Sequence, residues 1–561
     1  MLAPQIEPRY DVIIIGAGIS GLLMAAILSR HGHQVLVIER DVHPRFAIGE
    51  SGIKETSLTL SLMGLRFEVP EIRHLSSVDH IRRFIGRSSG QKRSFSFLWH
   101  APGEAQRPEH SVQVGSPRLP FGFDSHMFRQ DIDAYLLGVA AHYGATILQG
   151  VSVNTVHVDA DEVAVEIADH GTVRGRFVLD GAGYRSPLAR QLNLHEQPCP
   201  FETRSRSIFN HFVGVPAYDD QVASHARCGL AQRMSYGTLH HVFRGGWLWV
   251  IPFNNAPDPV NPLCSVGALL DPEVFPATGL PPEAEWAALL ARYPSVQAHL
   301  GDARPVRPWV TTPRIQFRQR QAVGHRWALL PHAVGFIDAL FSRGLYATAA
   351  GVNELAGLLL GALAENNFDP ARFQPYTDLI YNTLKANDRV VSTSYASWVH
   401  FDLWNAWHRV WGLGVFLESV RMVRAHARFR ETGDRRWLDN RQPPPMASFP
   451  LDLPGYRALF DAAERLVKSG QDRPEAAARD IFRLLAESPV CPPSFRYGDP
   501  GQRFLDMTDP RAMAKVFWWV ARRSPPEIRQ FIDFRPTSLV GELVDDQLRL
   551  RWSEPRRIAR L

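Results

Sequence analysis

The feature that most constrains the fold lies at the start of the chain, where an apolar run leads into a glycine-rich turn and a second apolar run. Residues 10–15 are mostly apolar and β-branched, which predicts a strand buried on both faces. The turn Gly16-Ala17-Gly18-Ile19-Ser20-Gly21 follows, and residues 22–28 have the composition of a helix. A second predicted strand, residues 34–38, ends at Glu39. The order strand, turn, helix, strand predicts one half of a parallel α/β unit.

The three glycines of this turn have the spacing of the dinucleotide-binding fingerprint. Gly16 makes the turn, Gly18 lets the backbone approach a pyrophosphate, and Gly21 lets the helix pack on the strand. The helix N-terminus, which carries Ser20, offers amides to an anion, and Glu39 is placed to bind a ribose hydroxyl. We therefore predict an α/β protein with a Rossmann-like dinucleotide-binding domain.

Charge and composition exclude several other classes of protein. The chain has 62 Lys and Arg against 57 Asp and Glu, a formal net charge of +5, which is too small an excess to indicate a nucleic-acid binder. No uninterrupted apolar run reaches the roughly 18 residues of a membrane-spanning helix, and Glu7 and Asp11 are unlike the basic start of a signal peptide. Histidines and cysteines lack the spacing of metal ligands. We expect a cytoplasmic protein with no nucleic-acid partner, no membrane partner and no metal.

The rest of the chain changes character twice. Residues 207–306 contain alternating apolar and polar stretches, which predict an antiparallel sheet that forms a substrate wall. After residue 369 the composition is helical, with Trp404, Trp407 and Trp411 on one face of a predicted helix. We predict a cofactor-binding body of residues 1–200 plus 300–365, a substrate-binding sheet region of residues 201–299, and a helical C-terminal region of residues 366–561.

Four segments of the sequence resemble the FAD-dependent halogenases. They are the glycine-rich opening with the later loop Gly49-Glu50-Ser51, the run Trp247-Leu248-Trp249-Val250-Ile251-Pro252, the segment FIDALFSRG at residues 336–344, and the stretch around Lys92. The second run matches the family signature WxWxIP at every fixed position, and the third resembles FxDPxxSxG. The similarity extends through nearly the whole chain and is greatest to members that halogenate a pyrrole ring.

The resemblance implies an FAD-binding fold of the flavin monooxygenase and halogenase type, and a halogenation reaction. In this family reduced FAD, oxygen and chloride or bromide give a hypohalous acid, which a lysine conducts to an electron-rich ring. Lys92 stands at that position. A separate flavin reductase supplies the reduced FAD, which fits the absence of a second dinucleotide fingerprint. The substrate is a small aromatic molecule, either free or tethered to a carrier protein.

The resemblance also assigns residues to the parts of the site. Residues that pack beside the tunnel between flavin and substrate are Trp247, Trp249, Ile251, Pro252 and Phe341. Chloride is expected at Ser342, Arg343 and Gly344. The residues expected to bind FAD are Gly16, Gly18, Ser20, Gly21, Glu39, Arg45, Ile48, Glu50, Ser51, Arg129 and Asp338.

Three positions depart from the family pattern. Ala339 stands where the family usually has proline, which loosens the expected chloride-binding turn, and Lys54 replaces a proline after the Gly-Glu-Ser loop. Phe341 occupies the position at which tryptophan-specific members carry a glutamate. An activated ring loses its proton easily, so Phe341 favours an aryl pyrrole or a phenol as substrate over tryptophan.

Two alternatives to the halogenase hypothesis remain. A single-ring flavin monooxygenase would share the fingerprint, although Lys92 and the tryptophan signature argue against it. A catalytically silent FAD-binding protein would account for Ala339.

Overall fold

The computed structural model describes residues 7–118, 120–221, 230, 232–439, 449–507 and 509–552. Its strands are β1 Arg9–Ile15, β2 Val35–Glu39, β3 Gly90–Lys92, β4 Ser94–His100, β5 Ser111–Gly115, β6 Asp124–His126, β7 Thr146–Gln149, β8 Val153–Val158, β9 Val163–Ile167, β10 Gly171–Asp180, β11 Arg206–Val213, β12 Thr238–Phe243, β13 Gly246–Pro252, β14 Cys264–Leu270, β15 Arg304–Pro305, β16 Val310–Thr312, β17 Phe317–Arg318, β18 Val323–Gly324, β19 Trp327–Leu329, β20 Gly335–Phe336 and β21 Phe504–Leu505.

The helices occupy the intervals that the sheets leave and most of the C-terminal region. They are α1 Ile19–Arg30, α2 Lys54–Arg66, α3 Val78–Phe84, α4 Arg129–His142, α5 Pro187–Gln191, α6 Tyr218–Gln221, α7 Pro282–Ala291, α8 Pro294–Leu300, α9 Pro331–Val334, α10 Arg343–Glu365, α11 Gln374–Ser397, α12 Phe401–Thr432, α13 Pro454–Ser469, α14 Pro474–Glu487, α15 Pro510–Arg522, α16 Pro526–Arg529 and α17 Pro536–Trp552.

The first sheet confirms the α/β prediction. Its strand order is β18-β19-β10-β1-β2-β7, and the β8–β9 hairpin joins it through β10. Strand β1 pairs in parallel with both β10 and β2, so Ile15 lies beside Asp180 and Ile38. The carboxyl ends of these strands therefore meet at one edge of the sheet, where a doubly wound fold binds its cofactor.

The second sheet is largely antiparallel, as the alternation in residues 207–306 predicts. Its order is β15-β11-β14-β13-β12-β4-β5-β21, with β16 also paired to β11. Strands β4 and β5 come from before the central segment, and β4 pairs in parallel with β12. Strand β21 comes from the C-terminal region and adds to the edge beside β5. The wall that we predict to bind substrate is thus built from three separate parts of the chain.

The helical region confirms the prediction after residue 369 and packs its tryptophans inward. Trp404, Trp407 and Trp411 all lie on α12 and are almost completely buried. Helix α10, with the short 3-10 turn Leu340–Ser342 before it, is long and apolar enough to cross a membrane by length and composition alone. Most of that apolar stretch is buried inside the protein, as in the core helix of a soluble protein.

Candidate functional site

The glycine-rich turn has the backbone that a dinucleotide requires. Gly16 has φ +96°, and a Cβ there would lie 3.0 Å from the carbonyl of Gly181. A Cβ on Gly21 would lie only 2.1 Å from the Gly16 carbonyl oxygen, so the helix could not pack as it does. At Gly18 a Cβ would meet only the Arg45 guanidinium, at 3.9 Å. Two glycines thus serve the packing of the turn, and the third faces open space of the kind a pyrophosphate needs.

The polar groups around this turn also fit a dinucleotide. Helix α1 begins after Gly18, and no side chain of the described residues caps its N-terminus, which leaves its first amides for an anion. Ser20 lies in this first turn. Glu39 ends β2, and its carboxylate accepts a hydrogen bond from the Ala17 amide at 2.7 Å and contacts Arg45 Nη2 at 3.1 Å. The residues present therefore fit the FAD that the resemblance implies.

The loop after β2 is held by residues that we expect to bind FAD. The Arg129 guanidinium forms an ion pair with Asp133 at 2.8 Å and donates to the carbonyls of Ile48 and Gly49. The side chain of Ile48 is exposed. The carboxylate of Glu50 is directed into the interior, where it lies 2.6 Å from His211 Nε2. In this structure the side chains of Arg129 and Glu50 fix the loop, and their contact with FAD stays a prediction.

The Lys92 ammonium is hydrogen-bonded both to the Gly49-Glu50-Ser51 loop, which we expect to bind FAD, and to the 336–344 segment, which we expect to bind the halide. Lys92 has no exposed surface, and its Nζ donates to Ser51 Oγ at 2.8 Å and to Ser342 Oγ at 3.0 Å. The same nitrogen lies 3.7 Å from the centroid of the Phe95 ring. Ser51 is also hydrogen-bonded to Thr238 on β12 at 3.0 Å. Two distant segments thus meet the Lys92 segment at one cation, and β12 supports one of them through Ser51.

Burial makes this cation easy to deprotonate. Loss of water lowers the pKa of Lys92 to about 7, and the negative charges of Asp124 and Glu55 oppose that shift. Strand β3, which carries Lys92, pairs with β6 so that Lys92 lies opposite Asp124. Near neutral pH the Lys92 side chain can therefore donate a proton and take one up.

The segment before α10 has a strained backbone. Phe341 has φ +67° and Ser342 has φ +57°, values that residues other than glycine seldom adopt. The Ser342 amide donates to the Ala339 carbonyl at 3.0 Å, so the turn closes although Ala339 replaces the usual proline. Helix α10 begins at Arg343, directly after this turn. The amides of Arg343 and Gly344 therefore lie in its first turn.

The side chains of this segment are engaged inside the protein. The Arg343 guanidinium is buried and contacts the Glu418 carboxylate of α12 at 3.2 Å. Asp338 accepts hydrogen bonds from the Ser205 and Tyr395 hydroxyls, each at 3.2 Å, and from the Leu340 amide at 2.9 Å. Burial raises the pKa of Asp338 to about 7, and these hydrogen bonds partly oppose that shift. The structure thus shows Asp338 holding the turn, while its contact with FAD stays a prediction.

The tryptophan signature lies on β13, and its alternate residues divide between two cores as the spacing predicts. Trp247, Trp249 and Ile251 face the larger core, whereas Leu248 and Val250 face the smaller one. Pro252 ends the strand and is partly exposed.

A continuous run of aromatic rings links the signature to the region of Lys92. Trp247 lies 5.5 Å from the His240 ring, which stacks on Phe97 at 4.4 Å, and Phe97 meets Phe341 at 6.2 Å. These contacts are compatible with the gating role that the resemblance implies, which stays a prediction.

An apolar pocket beside Lys92 combines residues that the sequence singled out with an acid, Glu55, that it did not. Phe95, Phe341 and Trp411 form aromatic walls, with Phe341 stacked on Trp411 at 4.3 Å between centroids. Glu55, in the first turn of α2, also lines this pocket. An acid in a first helical turn usually marks favourable helix electrostatics at a surface, so no local signal distinguished Glu55. Only the packing of α2 against α12 reveals its position.

Comparisons with known proteins agree with this arrangement. The family model for the FAD binding domain matches residues 9–232. The chain is 42% identical over 539 residues to the monodechloroaminopyrrolnitrin halogenase PrnC of Pseudomonas fluorescens, which covers 94% of each chain. It is 40% identical over 530 residues to the tetracycline 7-halogenase of Kitasatospora aureofaciens, covering 93% of this chain and 95% of that protein.

A solved structure shows the same similarity in three dimensions. The crystal structure of halogenase PltM in complex with phloroglucinol and FAD superposes with a TM-score of 0.83 at 37% identity, covering 88% of this chain and 99% of the other. Within the described residues no group of three or more His, Cys, Asp or Glu side chains is arranged to hold a metal ion.

Proposed function

The chain belongs to the flavin-dependent halogenases, and from that premise we propose that it uses Lys92 to halogenate an aryl pyrrole or a phenol. The enzyme is an FAD-dependent halogenase that acts on an aromatic substrate with a halide and oxygen. The observation that carries the proposed role of Lys92 is its position: a buried ammonium bound to Ser51 of the cofactor loop and to Ser342 of the halide segment.

When bound, reduced FAD would activate oxygen, and the activated oxygen would oxidise the halide to a hypohalous acid. Gly16, Gly18, Ser20, Gly21 and Glu39 would hold its dinucleotide part, and residues 45–51 would cover it. The amides of Gly344 and Arg343, with Ser342, would hold the halide, because backbone amides in a turn bind an anion without a full positive charge.

The task of Lys92 is to hold the hypohalous acid and present its halogen to the ring. A buried ammonium is a strong hydrogen-bond donor, because low dielectric strengthens its bond to an oxygen. Phe95 lies against the ammonium and also lines the pocket, so a ring in that pocket would lie next to Lys92. The surrounding buried aromatic residues, with Trp247 and Trp249 behind them, would exclude water and keep the acid from escaping.

The aromatic lining of the pocket favours a flat, electron-rich substrate, and its side chains must move to admit one because the cavity volume is only about 20 Å³. Phe95, Phe341 and Trp411 can make stacked or edge-to-face contacts with an aromatic ring. Phe341 places an apolar ring at the position where tryptophan-specific halogenases carry a glutamate. That carboxylate would help a less reactive ring to lose its proton. The related halogenase PltM was solved with phloroglucinol, which supports a phenol as one candidate.

The reaction also requires partners outside the chain. We propose a separate flavin reductase as the source of reduced FAD, in the cytoplasm, where NADH is available to it. The substrate is either free or tethered to a carrier protein. Distant relatives include a 1H-pyrrole-2-carbonyl-[peptidyl-carrier protein] chlorinase, which is 24% identical to this chain over 383 residues.

One assay tests the proposed function. Purified protein is incubated with FAD, a flavin reductase, NADH, oxygen and chloride or bromide, and a panel of aryl pyrroles and phenols is followed by mass spectrometry. We expect a product with the isotope pattern of the added halogen. Lys92→Ala should abolish this product but still bind FAD, which is measured by absorbance.

Lys385→Ala removes an exposed lysine and serves as the matched control, because its activity should equal that of the wild type. Addition of oxygen to the substrate irrespective of halide would instead identify a hydroxylase. FAD binding with no product from any substrate would identify a silent flavoprotein.

A further inference from the structure

The pocket beside Lys92 is lined by a buried carboxyl group, that of Glu55. Glu55 has no exposed surface, and neither of its carboxylate oxygens has a hydrogen-bond partner among the described residues. A buried carboxyl group without a hydrogen bond is costly, so such a group is rarely kept without a function. Glu55 lines the pocket together with Phe95, Phe341 and Trp411. The Glu55 side chain thus borders the pocket that we assign to the aromatic ring.

The neighbouring acids show that the isolation of Glu55 is specific. Asp124 accepts hydrogen bonds from the hydroxyls of Ser57 and Ser116 and lies 3.3 Å from Lys54 Nζ. Glu418 contacts Arg343 at 3.2 Å and accepts a hydrogen bond from the Phe449 amide. Each of these carboxylates stabilises a part of the fold, whereas the Glu55 carboxylate has no hydrogen bond to another described residue.

The charges around Glu55 place its titration near neutral pH. Burial raises the pKa of Glu55 to about 8, with further increases from Glu418 on α12 and Asp124 on β6, while Arg343 on α10 opposes the shift. Lys92 on β3 also faces this group, since the charge of Glu55 favours the Lys92 ammonium. Glu55 and Lys92 therefore lose their protons in the same pH range, so the free energies of protonation of the two groups differ little.

We propose that Glu55 is a catalytic residue that accepts the proton which the aromatic ring loses when it is halogenated. This assignment rests on the proposed function, because it requires a ring in the pocket and delivery of the halogen through Lys92. It adds a base to a site in which Lys92 is otherwise the only assigned catalytic residue.

For chlorination, the proposed step conserves atoms, electrons and protons. A π electron pair of the ring forms the C–Cl bond while the Cl–O bond of hypochlorous acid breaks, and the departing hydroxide takes a proton from the Lys92 ammonium to form water. The ring C–H bond then breaks, its electron pair restores aromaticity, and the proton passes to the Glu55 carboxylate. Transfer of that proton from Glu55 to the Lys92 amine restores both groups. The net change converts the arene and hypochlorous acid to the chloroarene and water.

The first test compares Glu55→Gln with the wild type on an aryl pyrrole or a phenol that the wild type halogenates. We expect kcat to fall by roughly 100-fold or more with little change in KM, because general bases contribute about 10²–10⁴-fold. Ring-deuterated substrate should react at the same rate as protonated substrate in the wild type, and measurably more slowly in the variant. FAD binding and the affinity for substrate, both measured on the resting protein, should be unchanged.

A second variant separates catalysis from folding. Glu55→Ala leaves a cavity, and added formate should restore a substantial part of its lost kcat, which a purely structural defect would not allow. Asp388→Asn is the control, since Asp388 is also a buried carboxyl group but is bound to the amides of Glu202 and Thr203 away from the pocket. Formate should not change the rate of this control.

The possible outcomes are distinct. Wild-type kcat in Glu55→Gln, a loss confined to KM, or the absence of both the isotope effect and formate rescue would overturn the assignment of Glu55 and leave the proposed function intact. If the wild type halogenates none of these substrates, the proposed substrate class and the assignment of Glu55 are both wrong.

Discussion

The ammonium nitrogen of Lys92 lies 3.0 Å from the hydroxyl oxygen of Ser342, a residue 250 positions further along the chain. Ser342 has a left-handed backbone and directly precedes α10. The position of the proposed catalytic cation therefore depends on a strained turn in a distant segment. Strain of this kind is kept where the surrounding structure over-determines it, and here α10, α12 and β4 enclose the turn.

Removal of this hydroxyl should misplace the ammonium. In Ser342→Ala we expect the yield of halogenated product per NADH consumed to fall about tenfold, because one of the two hydroxyl partners of a buried cation is lost. The measurement is product by mass spectrometry against NADH by absorbance. Ser469→Ala, at an exposed helix position, should match the wild type. An unchanged yield in Ser342→Ala would contradict the positioning role.

The geometry of the glycine-rich turn predicts that substitution of one glycine weakens FAD binding and substitution of another lowers stability. Gly18→Ala should fold normally, since its Cβ would meet only Arg45 at 3.9 Å, but should weaken FAD binding by at least about tenfold, or about 1.4 kcal/mol. Gly21→Ala should instead lower the thermal stability of the FAD-free protein, because its Cβ would lie 2.1 Å from a backbone oxygen. Thermal unfolding and an absorbance titration with FAD measure the two effects. Equal FAD affinity in Gly18→Ala and the wild type would contradict a pyrophosphate at this position.

Local patterns in the sequence were sufficient to predict the elements that bind the cofactor. Strand β1, the turn and α1 form from adjacent residues, and the alternation of Trp247 with Trp249 follows directly from strand geometry. The contacts between elements could not be predicted in this way. The parallel pairing of β4 with β12 and the approach of Ser342 to Lys92 join segments more than a hundred residues apart.

Glu55 shows the same limit for the candidate site. Its neighbours in sequence give it the appearance of an ordinary acid in a first helical turn. Its function depends on what α10 and α12 place around it, and those helices lie about three hundred residues away.

The pKa values of the two proposed catalytic groups predict the pH dependence of the reaction. Burial lowers the pKa of Lys92 to about 7 and raises that of Glu55 to about 8, and together the pair must hold one proton to act. Below this range both groups are protonated and the base is lost; above it both are deprotonated and the donor is lost. We expect kcat to reach its maximum between about pH 7 and 8 and to fall on both sides.

The variant Glu55→Gln should shift the pH profile of kcat toward lower pH. Without the carboxyl group the decline on the acid side should disappear, because no base remains to be protonated. The decline on the alkaline side should move to lower pH, because the negative charge that favours the Lys92 ammonium is gone. Initial rates of halogenation at saturating substrate between about pH 5.5 and 9 measure both limbs. An acid limb that persists in Glu55→Gln would assign it to another group.

The same carboxyl group should make the stability of the protein depend on pH. The folded-state pKa of Glu55 is raised from 4.5 to about 8, so above pH 4.5 the unfolded chain releases a proton that the folded protein keeps. The unfolded state then binds fewer protons, and the free energy of unfolding must fall as pH rises through this window. The loss is at most about 1.4 kcal/mol for each pH unit.

Glutamine carries no such proton, so the stability of Glu55→Gln relative to the wild type should increase from about pH 5 to about pH 8 and stay constant above it. Urea unfolding of the FAD-free proteins at several pH values measures the difference. Glu283→Gln, which removes an exposed carboxyl group on α7, should show no comparable trend. A difference between Glu55→Gln and the wild type that does not vary with pH would mean that Glu55 is ionised in the folded protein, and that its charge is balanced by Arg343 or Lys92.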